Sequence, residues 1–515
     1  MPNKCLGVYQ DPLLIRTLGQ MTFDSLRDFI LDLERRNELV RVSEPVSTVH
    51  EMTEIQTRLL SDRGPAVIFE NSIRADGTKS EIPVLANLFG TVDRVALGMG
   101  RSREELRSFG EQLAFLQQPD PPANLREAKS MVPLVKPVLA MKPKTVRRAP
   151  CQEIVIEGDE INLNNLPIQT CWPGEPAPLI TWPIVVTEDN GRTNLGIYRM
   201  QLLSKNKTLM RWLEHRGGAE ALKTASQRGT DLPAAVVLGA DPGTTIAAVA
   251  PVPEKLSEYE FSGLLRRKKL SLVKCKTVPL SVPAEAEIVL EGHVSVTDYR
   301  SEGPYGDHTG FYNSIEKFPV FTVSAVTMRK NPIYLTTFTG RPPDEPSTLG
   351  EALNDVFVPL FTKQFPEVID FWLPPEACSY RIAVVSIKKS YPGHAKRIMM
   401  AVWSYLKQFT YTKFVIVVDD DIDARNWQDV VWAVATHTDP SRDTVMLENT
   451  PIDYLDFASP YSGLGSKMGI DATTKIPPET QREWGKKIRM DNATISKIDS
   501  IWSDLGLPGS GKSIW

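Results

Sequence analysis

Two carboxylates and an imidazole surround a short bend of glycine and proline at residues 302–310, which read Glu-Gly-Pro-Tyr-Gly-Asp-His-Thr-Gly. Glycine tolerates backbone angles that side chains forbid, and proline fixes one φ, so the bend can hold Glu302 and Asp307 at a set separation. Two neighbouring carboxylates push their pKa values apart, which leaves one ionised and one able to carry a proton near neutral pH. The pattern is typical of an acid–base site, although a polar surface turn can have the same composition.

A second cluster, which begins at Asn194, supplies positive charge. Alternation of apolar and polar residues predicts a hairpin of two strands at 194–203 and 208–213. Arginines in such a hairpin can bind a carboxylate or phosphate bidentately, or they can serve solubility alone. Alternation would place Asn194 and Arg199 on opposite faces. Both can serve one site only if the strand bulges or ends between them, and Gly196 is the expected place.

The patterns elsewhere predict an α/β layer at the N-terminus. A helix is expected to begin near Asp24, with Thr22 or Asp24 as its cap, because the apolar residues that follow recur at helical spacing. Further elements are expected as helices at 51–60 and 104–116 and strands at 66–69 and 84–88. A proline-rich stretch at 117–124 is typical of a linker.

The rest of the chain divides into a β-rich part and an alternating part. Strands are expected in the first part at 153–156, 184–186, 234–238, 286–294, 321–328 and 333–338. Strands at 382–387, 414–418 and 445–447 then alternate with helices at 394–409 and 427–435. Such alternation predicts a parallel sheet.

Composition excludes several classes of protein. The 515 residues carry a formal net charge of −4, which gives no electrostatic basis for nucleic-acid binding. Five scattered cysteines without a CxxC pair are typical of a reducing cytosol. No apolar run is long enough for a membrane span, so a cytoplasmic protein is expected. The basic run at 266–269 is either a solvated turn or a contact to anionic lipid at the inner face of the cell membrane.

These motifs together resemble the UbiD family of prenylated-flavin-dependent decarboxylases over about residues 22–484, and most closely its bacterial branch acting on 3-polyprenyl-4-hydroxybenzoate. The shared motifs lie at 170–173, 177–182, 194–199, 215–218, 238–242, 302–310, 339–343 and 448–453. The resemblance implies a multidomain α/β protein whose central domain is a split β-barrel like that of flavin reductases. It also implies a C-terminal α/β domain with a parallel sheet.

The domain boundaries that follow are expectations. They are an N-terminal extension at 1–20, an α/β domain at 21–124, the cofactor-binding barrel at 125–340, an α/β oligomerisation domain at 341–490, and a C-terminal helix and tail at 491–515. The family resemblance further implies a homo-oligomer, a dimer or a hexamer, formed through the C-terminal domain.

The implied cofactor is prenylated FMN, supplied by a flavin prenyltransferase, with a metal ion that joins its phosphate to the protein. Mn²⁺ is the expected metal, with another divalent ion or K⁺ as alternatives, because oxygen donors suit hard cations. The matching metal positions are Asn194 and Glu258, and His215 is either a third ligand or only a hydrogen-bonded imidazole. The positions that match the flavin-holding segments are Ile197, Tyr198, Arg199, Arg211, Trp212, Leu213, Arg216 and Gly217.

The implied reaction is the decarboxylation of 3-polyprenyl-4-hydroxybenzoate to 2-polyprenylphenol in ubiquinone biosynthesis. Prenylated FMN serves as the electron sink, and the protein contributes orientation, electrostatics and a proton. Asp307 matches the position of the proton donor, and a carboxyl buried beside Glu302 is expected to have a raised pKa. Arg199 is expected to pair with Glu302 and to orient the departing carboxylate. His308 either relays protons or satisfies a buried carbonyl, and the second role is preferred.

The cinnamic-acid branch of the family has Glu where this chain has Asp307, so the chain agrees with the polyprenyl-hydroxybenzoate branch. The alternatives are a decarboxylase of another aromatic acid, a flavin oxidoreductase on the same barrel, and a noncatalytic assembly protein. An oxidoreductase should have a nicotinamide site, and no GxGxxG follows a strand. An assembly protein should have lost Arg199, Glu302 or Asp307, and all three are present.

Overall fold

The computed structural model describes residues 22–117, 137–213, 217–252, 256–405 and 407–507. Its helices are α1 (Leu26–Arg35), α2 (Glu51–Ser61), α3 (Val92–Gly98), α4 (Glu105–Gln117), α5 (Gly217–Arg228), α6 (Pro242–Ala247), α7 (Glu258–Arg266), α8 (Glu345–Gln364), α9 (His394–Tyr405), α10 (Trp427–His437), α11 (Pro440–Asp443) and α12 (Asn492–Ile501). The predicted linker at 117–124 falls, apart from its first residue, outside the described residues.

The N-terminal part is an α/β layer, as the sequence predicts. Its sheet has the order β1 (Leu39–Val42), β3 (Ala66–Phe69), β5 (Val84–Ala86) and β18 (Tyr334–Leu335). The short strands β2 (Val46–Ser47) and β4 (Ser72–Ile73) pair beside it. Ser25, rather than Thr22 or Asp24, caps α1, because it forms a capping box with Asp28. The segment predicted as the last strand of the barrel, 333–338, instead contributes β18 to this N-terminal sheet.

The central part is a curled antiparallel sheet that holds most of the predicted site. Its order is β10 (Arg192–Ile197), β9 (Ile184–Asp189), β13 (Leu232–Leu238), β16 (Ile288–Glu302), β17 (Glu316–Met328), β12 (Lys207–Leu209), β11 (Met200–Ser204) and β8 (Leu179–Ile180), with β7 (Ile154–Glu157) also on β17. A separate sheet has the order β15 (Ser281–Pro283), β14 (Ser271–Lys274) and β6 (Lys144–Val146). Bulges in the long β16–β17 pair after Glu291 and after Val294 accompany the curl. A barrel like that of flavin reductases stays a prediction.

The C-terminal sheet is mixed, so the prediction of a purely parallel sheet is wrong at its edges. Its order is β19 (Val368–Trp372), β20 (Ile382–Ile387), β21 (Phe414–Asp419), β23 (Leu464–Ala472) and β22 (Thr444–Pro451). The three inner strands are parallel, whereas β19 and β22 pair antiparallel to their neighbours. Short connections that reverse the chain cannot make parallel pairs, which require a long crossover. Within the described residues, the structure contains no helix with the length and apolar character of a membrane span.

Candidate active site

Arg199 lies where the predicted first strand is interrupted. β10 ends at Ile197 and β11 begins at Met200, so Tyr198 and Arg199 belong to neither strand. β10 pairs with β9, whereas β11 pairs with β12 and β8. The interruption predicted between Asn194 and Arg199 is therefore confirmed, but it follows Ile197 instead of falling at Gly196. It frees Arg199 from the alternation of a strand and lets its side chain turn toward Glu302.

Arg199 and the two carboxylates of the bend form one buried cluster. Arg199 donates from Nε and Nη2 to the two Glu302 oxygens at 2.9 and 3.2 Å, and from Nη1 to Asp307 Oδ2 at 2.9 Å. Asn313 Oδ1 accepts a further hydrogen bond from Arg199 Nη2 at 2.9 Å. The Glu302 side chain is 0% exposed and that of Arg199 13% exposed. The structure thus brings together the three residues predicted as catalytic.

A second guanidinium balances the charge of this cluster. Arg211 follows β12 and donates from Nη1 to Glu302 Oε2 at 2.8 Å, with its side chain only 6% exposed. Its Nη2 hydrogen-bonds the hydroxyl of Tyr454, which lies just beyond β22 in the C-terminal part of the chain. Two arginines therefore face two carboxylates, and the cluster carries no net charge. Arg211, predicted as a flavin contact, forms an ion pair with Glu302.

The expectation of a raised pKa at Asp307 is wrong. Burial alone would raise the pKa of Asp307, but the hydrogen bond from His308 and the cationic Arg199 and Arg211 outweigh it and lower the pKa of Asp307 below its ordinary value. Both carboxylates were expected to compete for one proton. Instead, the guanidinium groups of Arg199 and Arg211 together neutralise both carboxylates, and Asp307 is ionised while these contacts hold.

His308 contacts the neighbouring carboxylate and not a backbone carbonyl, contrary to the preferred prediction. Its Nδ1 is 2.8 Å from Asp307 Oδ1, and its Nε2 is 3.0 Å from Arg381 Nη1. A guanidinium can only donate, so Nε2 is the acceptor and Nδ1 carries the hydrogen that points to Asp307. Arg381 belongs to the C-terminal sheet region and also lies 3.4 Å from Asp453. The C-terminal part thereby fixes the tautomer of a residue in the catalytic bend.

The glycines of the bend have different roles. Gly303 has a φ of +88°, the left-handed conformation that the sequence predicts. Gly306 is required by space, because a Cβ there would lie 2.2 Å from Cδ1 of the Trp172 ring. Trp172 is held in turn by its Nε1 hydrogen bond to the Thr339 carbonyl at 2.9 Å. The bend therefore packs against the ring of Trp172, whereas a polar surface turn would need no such contact.

Three of the predicted flavin-holding residues, Tyr198, Trp212 and Gly217, lie together at the start of α5. The rings of Tyr198 and Trp212 meet edge to face with centroids 6.2 Å apart. A Cβ on Gly217 would lie 2.3 Å from Asn194 Oδ1, and one on Gly218 would lie 2.3 Å from Trp212 Nε1. Ile197 is partly buried against two hydrophobic cores, and Leu213 is half-buried. Arg216 lies outside the described residues.

These residues fit a phosphate-bearing cofactor. Trp212 Nε1 and Asn194 Nδ2 are buried without a hydrogen-bond partner in the described part of the chain. Buried donors in folded proteins are normally satisfied. The N-terminus of the twelve-residue helix α5 adjoins them, and free backbone N–H groups at helix N-termini favour phosphate. Which of these groups contact FMN stays a prediction.

Two of the three predicted metal ligands are neighbours. Glu258 begins α7 and accepts a hydrogen bond from the backbone N–H of Leu195, next to Asn194, at 3.0 Å. Burial raises the pKa of Glu258, and no cation pairs with it among the residues described. A divalent ion would supply that missing positive charge. His215 lies outside the described residues, and no group of three His, Cys, Asp or Glu is found among those that are described.

Several residues of the site have no role in the sequence prediction. They are Trp172, Glu175, Asn313, Arg381 and Tyr454. Three of the five lie inside or next to the motifs at 170–173 and 448–453, so motif position was an available signal for those three. Asn313 follows the bend by three residues, but its residue type alone suggests no role, and only the folded chain brings Arg381 to the bend.

The basic run at 266–269 is not an open cationic patch. Arg266 is buried and its Nε lies 3.2 Å from Asp241 Oδ1. Lys268 pairs with Asp24, which also lies 3.3 Å from Arg266. Two of the four cations are therefore paired with carboxylates of the chain. This reduces the charge that the run could offer to anionic lipid.

Three family models match successive parts of the chain. They are the N-terminal domain of 3-octaprenyl-4-hydroxybenzoate carboxy-lyase at residues 30–113, its Rift-related domain at 144–342 and its C-terminal domain at 347–472. Together they span most of the 515 residues, and all three carry the UbiD family designation.

Solved structures agree in fold over nearly the whole chain. Vanillic acid decarboxylase of Sedimentibacter hydroxybenzoicus in its closed form is 27% identical, with 94% of this chain and 99% of that chain covered and a TM-score of 0.81. The UbiD-class enzyme HmfF of Pelotomaculum thermopropionicum, in complex with FMN, is 28% identical, with 90% and 97% covered and a TM-score of 0.75. Apo 3,4-dihydroxybenzoic acid decarboxylase of Klebsiella pneumoniae shares the fold at 21% identity, with 92% and 99% covered and a TM-score of 0.73. The chain belongs to the UbiD family.

Proposed function

We propose that this protein catalyses the non-oxidative decarboxylation of an aromatic acid, and specifically of 3-polyprenyl-4-hydroxybenzoate to 2-polyprenylphenol in ubiquinone biosynthesis. The observation that carries the proposal is the buried cluster of Arg199, Arg211, Glu302 and Asp307. Its two arginines belong to the same two segments as Asn194 and Trp212, which fit a phosphate-bearing cofactor. A carboxylate substrate needs cations to bind it, and the ring carbon that loses CO₂ needs a proton. This cluster contains two cations and a carboxyl group that can carry the proton.

Prenylated FMN is the proposed cofactor, and a flavin prenyltransferase is the proposed partner that supplies it. Structures of the relative HmfF hold FMN and, in an evolved dimeric form, prenylated FMN. When bound, the cofactor supplies an electron sink for the carbon that loses CO₂. Asn194, Trp212 and the N-terminus of α5 would hold its phosphate end, and Asn194 with Glu258 would hold a Mn²⁺ ion beside it.

The metal site is testable by substitution. Glu258→Gln should lower the manganese content of the purified holoenzyme and its retention of flavin, because the variant loses the only acidic ligand among the predicted positions. Glu260→Gln, in the first turn of the same helix, is the control, since Glu260 only caps α7 through Ser257. Metal analysis and flavin absorbance measure both effects. Unchanged manganese in Glu258→Gln would contradict the assignment.

Arg199 is proposed to bind the carboxylate of the substrate. Its Nη1 and Nη2 already contact carboxylate and amide oxygens, and a substrate carboxylate offers the same planar pair of acceptors. A substrate that takes the Nη1 contact displaces Asp307 from its cation. The guanidinium thus exchanges one carboxylate for another, which limits the cost of burying the substrate charge.

Asp307 becomes the proton donor through that exchange. The hydrogen bond from His308 and the cationic Arg199 and Arg211 keep its pKa low, whereas burial acts in the opposite direction. A substrate carboxylate bound to Arg199 removes one of these contacts and brings a second negative charge close to Asp307, so the pKa of Asp307 rises and the side chain takes up a proton. The proton is then delivered to the ring carbon that has lost CO₂. Glu302 keeps the two arginines in place through its three hydrogen bonds to them.

Apolar side chains beside the bend support a substrate with an isoprenoid tail. Phe311 is 64% and Ile315 62% exposed, and both follow the catalytic bend directly. The ring of Phe311 meets that of Phe457 from the C-terminal part at a centroid distance of 6.2 Å. An exposed apolar cluster next to a polar site is typical of a ligand with one polar and one apolar end. Smaller acids such as vanillate are the alternative, because one relative is a vanillic acid decarboxylase.

The proposed assembly is a homo-oligomer, a dimer or hexamer, formed by the C-terminal domain, with cytoplasmic location and peripheral membrane contact. The C-terminal part exposes Val431, Met446 and Ile488 to 61%, 59% and 83%. Mass photometry should show species above 57.5 kDa, and a monomer alone would contradict the assembly. Flotation with anionic vesicles tests the membrane contact, and protein that remains below the vesicles at low salt would contradict it.

The reaction is tested with protein co-expressed with a flavin prenyltransferase and assayed for CO₂ release. The panel contains a 3-polyprenyl-4-hydroxybenzoate, 4-hydroxybenzoate and vanillate. Release from the prenylated acid alone supports the full proposal. Release from vanillate alone retains the decarboxylase and overturns its substrate. No release from any of the three, with prenylated flavin present, contradicts decarboxylation of these acids.

A further inference from the structure

Residues 171–175, which precede the central hairpin, contact the catalytic bend and the residues just after it at three points. The Trp172 ring occupies the space that a side chain on Gly306 would fill. The Tyr312 hydroxyl donates to the Pro173 carbonyl. Glu175 Oε1 accepts a hydrogen bond from the Gly306 N–H at 3.3 Å. Two of the contacts are made by Gly306, next to Asp307, and the third by Tyr312, two residues after the bend.

Glu175 joins the two segments through a single carboxylate. While Oε1 accepts from Gly306, Oε2 accepts from the backbone N–H of Cys171 at 2.7 Å. The side chain lines a small pocket together with Trp172 and Arg199. No ion pair to Glu175 occurs in the part of the chain described, in contrast to Glu302 and Asp307. It is therefore a carboxylate of the pocket that backbone N–H groups, and not cations, hold.

We propose, on the basis of the decarboxylase function above, that Glu175 is a positioning residue of the reaction. Its ionised carboxylate ties Gly306 to the 171–175 segment and so fixes where Asp307 stands. Backbone N–H groups, those of Cys171 and Gly306 among them, donate to both oxygens, and protonation turns one oxygen into a hydroxyl that donates and accepts less well. The Gly306 contact at 3.3 Å is longer than the Cys171 contact at 2.7 Å, so we expect a protonated Glu175 to release Gly306 and to loosen the bend there.

The loosening should occur at a higher pH than a glutamate normally titrates. Burial raises the pKa of Glu175, and the hydrogen bonds from Trp172, Cys171 and Gly306 and the charge of Arg199 only partly offset it. The other titratable groups around it are the Cys171 thiol and the Tyr305 phenol, and burial raises the pKa of both. Neither of these two loses its proton near neutral pH. The group that changes charge in this pocket as the pH falls from neutral is thus Glu175.

The first test is the pH profile of kcat/KM for the holoenzyme with 4-hydroxy-3-prenylbenzoate. In the wild type it should fall on the acid side with the slope of one proton. Glu175→Gln keeps one acceptor and cannot titrate, so its profile should lose that limb and lie about tenfold lower at high pH, as for one lost hydrogen bond. Glu175→Asp should restore the limb. The control is Glu351→Gln, because burial also raises the pKa of Glu351 but its partner is the remote Arg103.

The second test needs no turnover. Hydrogen exchange of the peptide that contains residues 303–310, corrected for the intrinsic rate at each pH, should lose protection as the pH falls in the wild type. In Glu175→Gln the protection should be low and independent of pH. If the acid-side fall in kcat/KM and the pH-dependent loss of exchange protection both persist unaltered in Glu175→Gln, the proposal is overturned. If no acid is turned over but exchange follows the prediction, the proposed function fails and the positioning role stands.

Discussion

Glu302→Gln is the substitution whose cost follows most directly from the structure. Glu302 is fully buried and accepts three hydrogen bonds from Arg199 and Arg211. The variant converts a neutral cluster of two cations and two anions into one with a net charge of +1. Removal of one partner from a buried ion pair costs about 3–5 kcal/mol, because the other charge is left without compensation. For a domain of about 150–250 residues, each kcal/mol lowers the melting temperature by roughly 2–4 °C, so the melting temperature should fall by roughly 6–20 °C.

The control is Glu291→Gln on the same strand. Glu291 is equally buried, but its donors are the backbone N–H groups of Lys276 and Thr277 and the Thr277 hydroxyl, so no cation loses its partner. Its cost should be about 1–3 kcal/mol.

Differential scanning fluorimetry of both variants, of Arg211→Gln, and of Glu302→Gln combined with Arg211→Gln measures the effect. The double variant removes the surplus cation and should be more stable than the two single costs predict. Additive costs in the double variant, or a Glu302→Gln protein as stable as the wild type, would refute the charge-balance argument.

Three other expectations concern the bend. Asp307→Asn should lower kcat by about 10²- to 10⁴-fold while flavin absorbance stays unchanged, because it removes a proton donor and no cofactor contact; loss of flavin would count against the role. Asp307 also makes stability depend on pH. Its pKa in the folded protein lies below the unfolded value of about 3.9, so its contribution is fully present above that pH and disappears as the pH falls through the folded pKa. Circular dichroism should therefore show that the stability gap between wild type and Asp307→Asn is constant from neutral pH to about 5 and narrows below about 4; a constant gap throughout would contradict the lowered pKa. Arg381→Met should let His308 take either tautomer and reduce kcat/KM about tenfold, as for one lost hydrogen bond; it also removes the cation beside Asp453, so the melting temperature is measured alongside, and unchanged kinetics would show that the contact to His308 does not matter.

Sequence patterns predict the elements well where one physical signal dominates. The 382–387 strand and the start of the helix at His394 appear as expected, because a continuous apolar run and a one-faced apolar helix are strong local signals. The direction of the edge strands β19 and β22 is not encoded in their own residues, which are apolar or amphipathic in either direction. It depends on how the connections reach the sheet, and the pattern of one segment does not contain that information.

The site, too, has features that the sequence predicts and features that only the folded structure determines. Arg199, Glu302 and Asp307 are predicted together because their residue types suit one reaction and the motifs carry them. The lowered pKa of Asp307 could not be predicted, since it depends on the positions of Arg211 and His308 relative to one carboxyl oxygen. The sequence suggests two competing carboxylates, whereas the structure supplies a second guanidinium that removes the competition.

The most direct test of the central claim follows, in one experiment, the carboxyl carbon that leaves and the hydrogen that replaces it on the ring. The holoenzyme is given 3-polyprenyl-4-hydroxybenzoate with ¹³C in the carboxyl group, in D₂O under air. The account predicts that each ¹³CO₂ released is matched by one deuterium at the ring carbon that carried it, with no consumption of O₂. A hydroxylated product, O₂ uptake in step with ¹³CO₂, or product without ring deuterium would contradict non-oxidative decarboxylation with protonation by the enzyme.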